Sequence, residues 1–268
     1  MEPSILHTDS GEVAYRKFGS GRRLLIAFHG FSEDGAAFRA LGEQLEGSCT
    51  LYAVDLPFHG STRWLGDGYR PAQLAAIVEA ILERESARRF EAVGHSLGAR
   101  LWLHLLPAFR DRMERLCLLA PDGLQTRWLY LVEWLPTGWR RLAIRWARRP
   151  GWILALARLS SRFRLIGPFL LRYLEHHLGE AARRRRLLYT WLALSHFRLS
   201  GNKGRHLIQQ AKVPVLVLLG DKDRLVRPEA IRRCLAGTAG VQIFKVNATH
   251  RSICQRAAPF LRVAPGGE

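Results

Sequence analysis

A serine lies within Gly94-His95-Ser96-Leu97-Gly98, directly after the apolar run Phe90–Val93 and at the head of a helical pattern, Leu97–Phe109. Serine is a weak nucleophile until a base takes its proton and a third group orients that base. The glycines two before and two after it fit a sharp strand-to-helix turn, where a Cβ would strike neighbouring backbone. Such a turn lifts the Ser96 hydroxyl out of a sheet. It also puts the Leu97 N–H at a helix N-terminus, where it faces a developing negative charge. The plainer alternative for Ser96 is a helix N-cap. A base is available in His250, after the strand-like Val241–Val246, and an acid in Asp221 or Asp223, after the run Val213–Leu219. Upstream, Phe28-His29-Gly30-Phe31 closes the run Leu24–Phe28. There the Phe31 N–H offers a second oxyanion donor, and Gly30 permits close backbone approach. Together these groups suit acyl transfer from an ester or related carbonyl to water.

The elements that must position them follow from the apolar pattern. Leu24–Phe28, Leu51–Val54, Phe90–Val93, Leu116–Leu119 and Val213–Leu219 are short and mostly apolar, as in strands covered on both faces of a parallel sheet. Helical patterns separate them at Ala36–Leu45, Pro71–Glu85, Leu97–Phe109 and Pro228–Leu235. Pro71 and Pro228 suit a first helical turn, where the missing N–H has no partner to lose. This alternation predicts an α/β fold with a mostly parallel central sheet flanked by helices. Ile5–Thr8 and Glu12–Phe18, split by Asp9-Ser10-Gly11, read as an opening hairpin. Candidate nucleophile, acid and base all fall at carboxyl ends of strands, where sites form in open α/β sheets.

With these residues in the order Ser, Asp, His, the sequence resembles the α/β-hydrolase fold superfamily, outside the middle third. The motifs that carry the resemblance are His29-Gly30 before Phe31, the elbow Gly94–Gly98, the acid loop and His250. The resemblance implies a serine hydrolase with catalytic Ser96, Asp223 and His250, oxyanion amides at Phe31 and Leu97, and supporting glycines at 30, 94 and 98. Asp223, three after Gly220, is the family's usual acid, which leaves Asp221 to bond the turn. A serine at the elbow argues against the dehalogenase and epoxide hydrolase chemistries, which on this fold use an Asp. Thioester and C–C bond hydrolysis stay open. His29 and His59 are expected to shape loops, and His95 to point away from the nucleophile. The stretch Asp55-Leu56-Pro57-Phe58-His59-Gly60-Ser61-Thr62 departs from the family's usual pattern, with Phe58 where Gly is common and Thr62 in place of Ser.

The chain has 268 residues and a net charge of +18, of which Asp122–His206 holds +13, with 16 Arg, one Lys and four acids. Six of the eight Trp lie in the same stretch. Its amphipathic patterns, Trp139–Arg149 and Gly151–Tyr173, are interrupted at Pro136, Pro150 and Gly167-Pro168. The expected organisation is therefore a core over residues 1–121 and 207–268, with an inserted helical lid over 122–206. The lid's Leu, Ile, Trp and Phe point to an apolar acyl or alcohol group. Its Arg and Trp suit either a solvated face or a surface that meets anionic lipid. A membrane-docked or non-catalytic binding protein that keeps the fold is the alternative function. No nucleic-acid motif accompanies Arg183–Arg186, and none of the chemistry calls for a cofactor or metal; His176-His177 alone make a weak ligand pair. Met1–Ser10 lacks the marks of a secretory signal, and the four scattered cysteines suit a reducing compartment. The expected location is cytoplasmic, or peripheral at the inner membrane surface.

Overall fold

The computed structural model describes residues 2–125 and 150–262, with residues 138, 139, 142 and 145 between them. The strands are β1 (Ser4–Thr8), β2 (Gly11–Phe18), β3 (Arg23–Phe28), β4 (Cys49–Val54), β5 (Arg63–Trp64), β6 (Phe90–His95), β7 (Met113–Leu119), β8 (Val215–Gly220) and β9 (Val241–Val246). They form one sheet in the order β1-β2-β4-β3-β6-β7-β8-β9, with the short β5 pairing β2. β1, β2 and β5 run antiparallel to their partners, and all pairs from β4–β3 to β8–β9 are parallel. Every residue of β4, β6 and β8 is buried, which is why these strands read as mostly apolar, with Thr50, Glu91 and His95 as buried polar members. β9 lies at the edge, and its burial alternates along most of its length.

The helices are α1 (Arg39–Gln44), α2 (Pro71–Arg84), α3 (Leu97–Phe109), α4 (Gly151–Arg162), α5 (Pro168–Gly179), α6 (Ala181–Ala193), α7 (Gly201–Ala211), α8 (Pro228–Leu235) and α9 (Ala258–Leu261). The helix expected over Ala36–Leu45 is instead a 3-10 turn, Gly35–Phe38, followed by α1. Asp34 accepts from the Ala36 N–H at 2.7 Å and caps that turn. The expected helix over Trp139–Arg149 lies almost wholly outside the described residues.

Two compact units emerge: Met1–Leu65 with Arg70–Arg127 and Phe197–Glu268, and Gly66–Tyr69 with Trp128–His196. The first unit therefore resumes at Phe197, and the junction expected at 206/207 falls inside α7. The reason is local. Arg100 on α3 is buried, donates Nε to the Phe197 carbonyl at 2.8 Å and pairs Nη1 with Asp122 at 3.3 Å. His104, one turn on, bonds the Arg198 carbonyl at 3.1 Å. Composition marks where arginine density changes, whereas these bonds mark where the chain rejoins the core. Within the second unit, α4, α5 and α6 pack in succession, and Leu188 is buried among Ile153, Tyr189, Trp191 and Leu192.

The tightest approach in the core is between α3 and the strands beneath it. A Cβ on Gly98 would overlap the Phe28 carbonyl, and one on Gly94 would come within 2.5 Å of the Ala99 Cα. Overpacking of this kind costs about 1–3 kcal/mol or more when backbone is the neighbour. Gly98→Ala is therefore expected to lower the midpoint of thermal unfolding by several degrees. Gly151→Ala, where an added Cβ meets nothing within 4 Å, should leave it almost unchanged. Equal midpoints for the two variants, measured by calorimetry, would remove the argument for close packing.

Candidate active site

The parallel register brings the loops after β3, β6, β8 and β9 to one edge. Phe28 pairs Gly94, His95 pairs Leu119, Leu119 pairs Leu218, and Gly220 pairs Val246. Residues 29–33, 96, 221–223 and 250 all follow directly from these ends.

Ser96 has φ 49° and ψ −108°, a left-handed backbone that serine rarely adopts. Holding it there costs about 1–3 kcal/mol, met by the surrounding bonds. Its N–H donates to the Leu119 carbonyl at 2.9 Å, and its carbonyl accepts from Ala99, Arg100 and Asp122. The Leu97 amide opens α3, among the donors that have no intrahelical partner.

The structure separates the two acids. Asp223 Oδ2 lies 2.7 Å from His250 Nδ1, and its Oδ1 accepts from the Leu225 and Val226 N–H groups at 2.7 and 2.9 Å. Burial opposes the Asp223 charge, but the bonds from His250 and Val226 outweigh it and hold the carboxyl below its ordinary value. Asp221 accepts from the Ala248 N–H at 3.1 Å and so staples the acid loop to the loop that carries His250. Gln125, nearly buried, ties the far side of the acid loop to the segment after β7. Its amide donates to the Leu225 carbonyl at 2.9 Å and accepts from the Arg227 N–H at 3.0 Å. A carboxylate can only accept, so His250 donates from Nδ1. The Ser96 hydroxyl makes no hydrogen bond among the described residues. Such bonds are often long in ligand-free sites.

Phe31 lies on a loop fixed from below. His29 donates Nδ1–H to the Gly30 carbonyl at 2.7 Å and accepts the Leu56 N–H on Nε2 at 3.0 Å. Burial lowers the His29 pKa, in keeping with this neutral tautomer. His59 bonds the Pro57 carbonyl and packs at right angles to the Phe31 ring, their centroids 5.8 Å apart. The unusual residues of the Asp55 loop fit their places. Phe58 takes φ +67°, the conformation a glycine would otherwise supply. Thr62 donates to the Asp55 carbonyl at 2.6 Å and accepts from the Ala14 N–H at 2.9 Å.

One residue at this edge, Glu33, carries no signal that sequence reasoning weighed. Glu33 accepts from the Gly30 N–H at 2.9 Å and from His95 Nδ1 at 2.8 Å; His95 Nε2 meets the His250 carbonyl at 2.8 Å. An acid three residues beyond Gly30 is the only trace in the chain, and it is silent until the fold turns His95 towards it. The histidine pair on α5 divides: His176 is exposed, whereas His177 is buried and its pKa falls to about 4, through burial and then His176 and the nearby arginines.

A family model described as alpha/beta hydrolase fold matches residues 23–246. Curated relatives include a 2-succinyl-6-hydroxy-2,4-cyclohexadiene-1-carboxylate synthase of Salmonella paratyphi C, 37% identical over 103 residues, 38% of this chain and 39% of that one. Another is the lipase LipV of Mycobacterium tuberculosis, 30% identical over 121 residues, 43% of this chain and 46% of that one. The matched stretch spans less than half of either relative. Among solved structures, a thermophilic esterase from Thermogutta terrifontis (malate bound) aligns with TM-score 0.71 at 19% identity, over 98% of this chain and 97% of that one. This last likeness is one of fold. The family match runs through the strands that bear the elbow and the acid loop, and the chain belongs to the alpha/beta hydrolase fold family.

Proposed function

We propose that the protein is a serine hydrolase that cleaves an ester or related carbonyl substrate through an acyl-enzyme. The observation that carries this reading is the 2.7 Å bond between Asp223 and His250 Nδ1, at the same sheet edge as a serine with φ 49° on a glycine-flanked elbow. In the proposed reaction, His250 Nε2 takes the Ser96 proton as Oγ attacks the carbonyl carbon. The Phe31 and Leu97 amides hold the resulting oxyanion; one such donor typically supplies about 3 kcal/mol. The imidazolium, steadied by Asp223, then protonates the leaving group, and an acyl-serine remains. Water attacks that ester, with His250 again taking the proton, and Ser96 is released. No step asks for a metal or cofactor. The second unit, which carries α4, α5 and α6, is the proposed lid, and its apolar residues favour an apolar acyl or alcohol group. The family's esterase- and lipase-named relatives support a small-molecule or lipid-like ester. Thioesters and C–C bonds remain within the same chemistry.

A second reading concerns where the enzyme works. Trp152, Leu156 and Leu159 on α4 and Phe163 at its C-cap stand 50–66% exposed at spacings of four, three and four, so they share one face. With the charge excess of the surrounding sequence, this supports peripheral docking on an anionic membrane from the cytoplasmic side. No helix among the described residues is long and apolar enough to cross a membrane.

A fluorophosphonate probe tests the chemistry. Wild type should be labelled and Ser96→Ala should not. His250→Ala should lose nearly all turnover of p-nitrophenyl esters and keep the fold. Asp223→Asn should lose far more activity than Asp221→Asn; the reverse order would move the acid assignment. Absence of labelling in a folded protein would favour the non-catalytic binding protein instead. For docking, binding to phosphatidylserine vesicles should weaken as salt rises, because charge is screened within about 8 Å at physiological ionic strength. Salt-independent sedimentation with the vesicles would count against the electrostatic part.

A further inference from the structure

Both ring nitrogens of His95 face acceptors. Nδ1 lies 2.8 Å from a Glu33 carboxylate oxygen, and Nε2 lies 2.8 Å from the His250 carbonyl. An imidazole that gives a hydrogen to each must carry both protons and a positive charge. The ring is 1% exposed and the Glu33 side chain 19%, so the pair is shielded from solvent. The same Glu33 oxygen accepts the Gly30 N–H at 2.9 Å, and the Glu33 N–H returns to the Gly30 carbonyl at 3.2 Å. One carboxylate and one imidazole thus link three separate pieces of chain: the loop that bears Phe31, the residue before Ser96, and the backbone of His250.

We propose that Glu33 and His95 are positioning residues, a buried carboxylate–imidazolium clamp that fixes the Phe31 loop and the His250 backbone relative to Ser96. This rests on the serine hydrolase reading above. His250 Nδ1 is already engaged by Asp223. That bond sets the tautomer and leaves the ring free to swing about its own backbone unless the backbone is held. The His95 bond to the His250 carbonyl supplies that hold from the elbow itself, next to the nucleophile it must serve. The proposal also accounts for a charged pair at this depth. A buried ion pair contributes little net stability, because desolvation offsets its attraction, so its retention points to fixing geometry.

The groups that face the His95 ring are Glu33 on the loop after β3, Cys254 on the 3-10 turn Ser252–Arg256, and the His250 ring at 5.0 Å. Burial opposes the His95 charge, but Cys254 and Glu33 outweigh it and raise the pKa well above the ordinary imidazole value. Glu33 shifts the other way. Burial would raise its carboxyl, and the bond and charge of His95 bring it down to about 2. The clamp is therefore charged across neutral pH. It fails as pH rises through the raised His95 pKa, and at the acid end as pH falls towards 2.

The test is the rate at which a fluorophosphonate labels Ser96, followed from pH 6 to 9.5 in wild type, Glu33→Gln and His95→Gln. Glu33→Gln keeps the size and the acceptor for Gly30 but removes the charge. Labelling should slow about ten- to a hundred-fold, the scale expected of a misplacement near 1 Å. The alkaline fall in rate should also begin at lower pH, because His95 loses its proton more readily without the carboxylate. Glu33→Asp, which restores charge, should recover part of the rate. A measurement on wild type needs no variant to fold: nitrogen-15 spectra at pH 7.5 should show a histidine with both ring nitrogens protonated, moved by Glu33→Gln and lost in His95→Gln. Labelling rates and pH profiles that coincide in wild type and Glu33→Gln, or no doubly protonated ring at pH 7.5, overturn the clamp and leave the hydrolase reading intact. If wild type takes no label, the hydrolase reading fails, and the spectra alone decide whether the charged pair exists.

Discussion

The contact between the start of α3 and the Phe28 carbonyl is the constraint on which the rest of the site depends. A helix can come that close to a strand only if the residue beneath it has no side chain, and Gly98 supplies this. The approach leaves one residue, Ser96, to turn the chain from β6 into the helix, and that residue is forced to φ 49°. A strained serine is tolerated because its N–H and carbonyl are both engaged, the first by Leu119 and the second by the helix and Asp122. The backbone energy stored there is small against the packing that imposes it. The result is a hydroxyl standing at the carboxyl edge of the sheet, independent of which loops later surround it.

The loops around it are held by side-chain bonds rather than by regular structure. Asp221 joins the loop after β8 to the loop after β9, and Gln125 fixes the outer limb of the acid loop. His29 joins the loop after β3 to the segment after β4. Each bond spans a long stretch of sequence, so each closes a large loop for a single side chain. Asp223 and His250 can then rest on segments that are short and irregular without losing their relative placement.

Much of this was open to sequence reasoning, for a physical reason. Strands covered on both faces are mostly apolar, so β3, β4, β6 and β8 announce themselves, and the glycines at 94 and 98 declare the elbow after β6. Helices α3 and α8 begin and end where their patterns say. The short-range features were harder. The 3-10 turn at Gly35–Phe38 differs from an α-helix by one hydrogen-bond step, which apolar spacing does not resolve. β5 is two residues long and carries no period at all. The partnership of Glu33 with His95 depends on residues 62 apart in sequence meeting side by side, and no local pattern encodes that. The junction at Phe197 escaped because arginine density continues past it into α7. The outward-facing Asp221 and inward-facing Asp223 stand two residues apart, and the turn geometry, not the chemistry of either carboxylate, assigns their separate partners.

Arg100 grips Asp122 on one side and the Phe197 carbonyl on the other. One guanidinium of the core thus holds both the outgoing and the returning chain. Whatever lies between those two points is topologically a cassette, with its ends stitched together at the base. Such an arrangement lets evolution rewrite the intervening helices, lengthen them or trade them wholesale, while the core feels no change in the spacing of its two points of attachment.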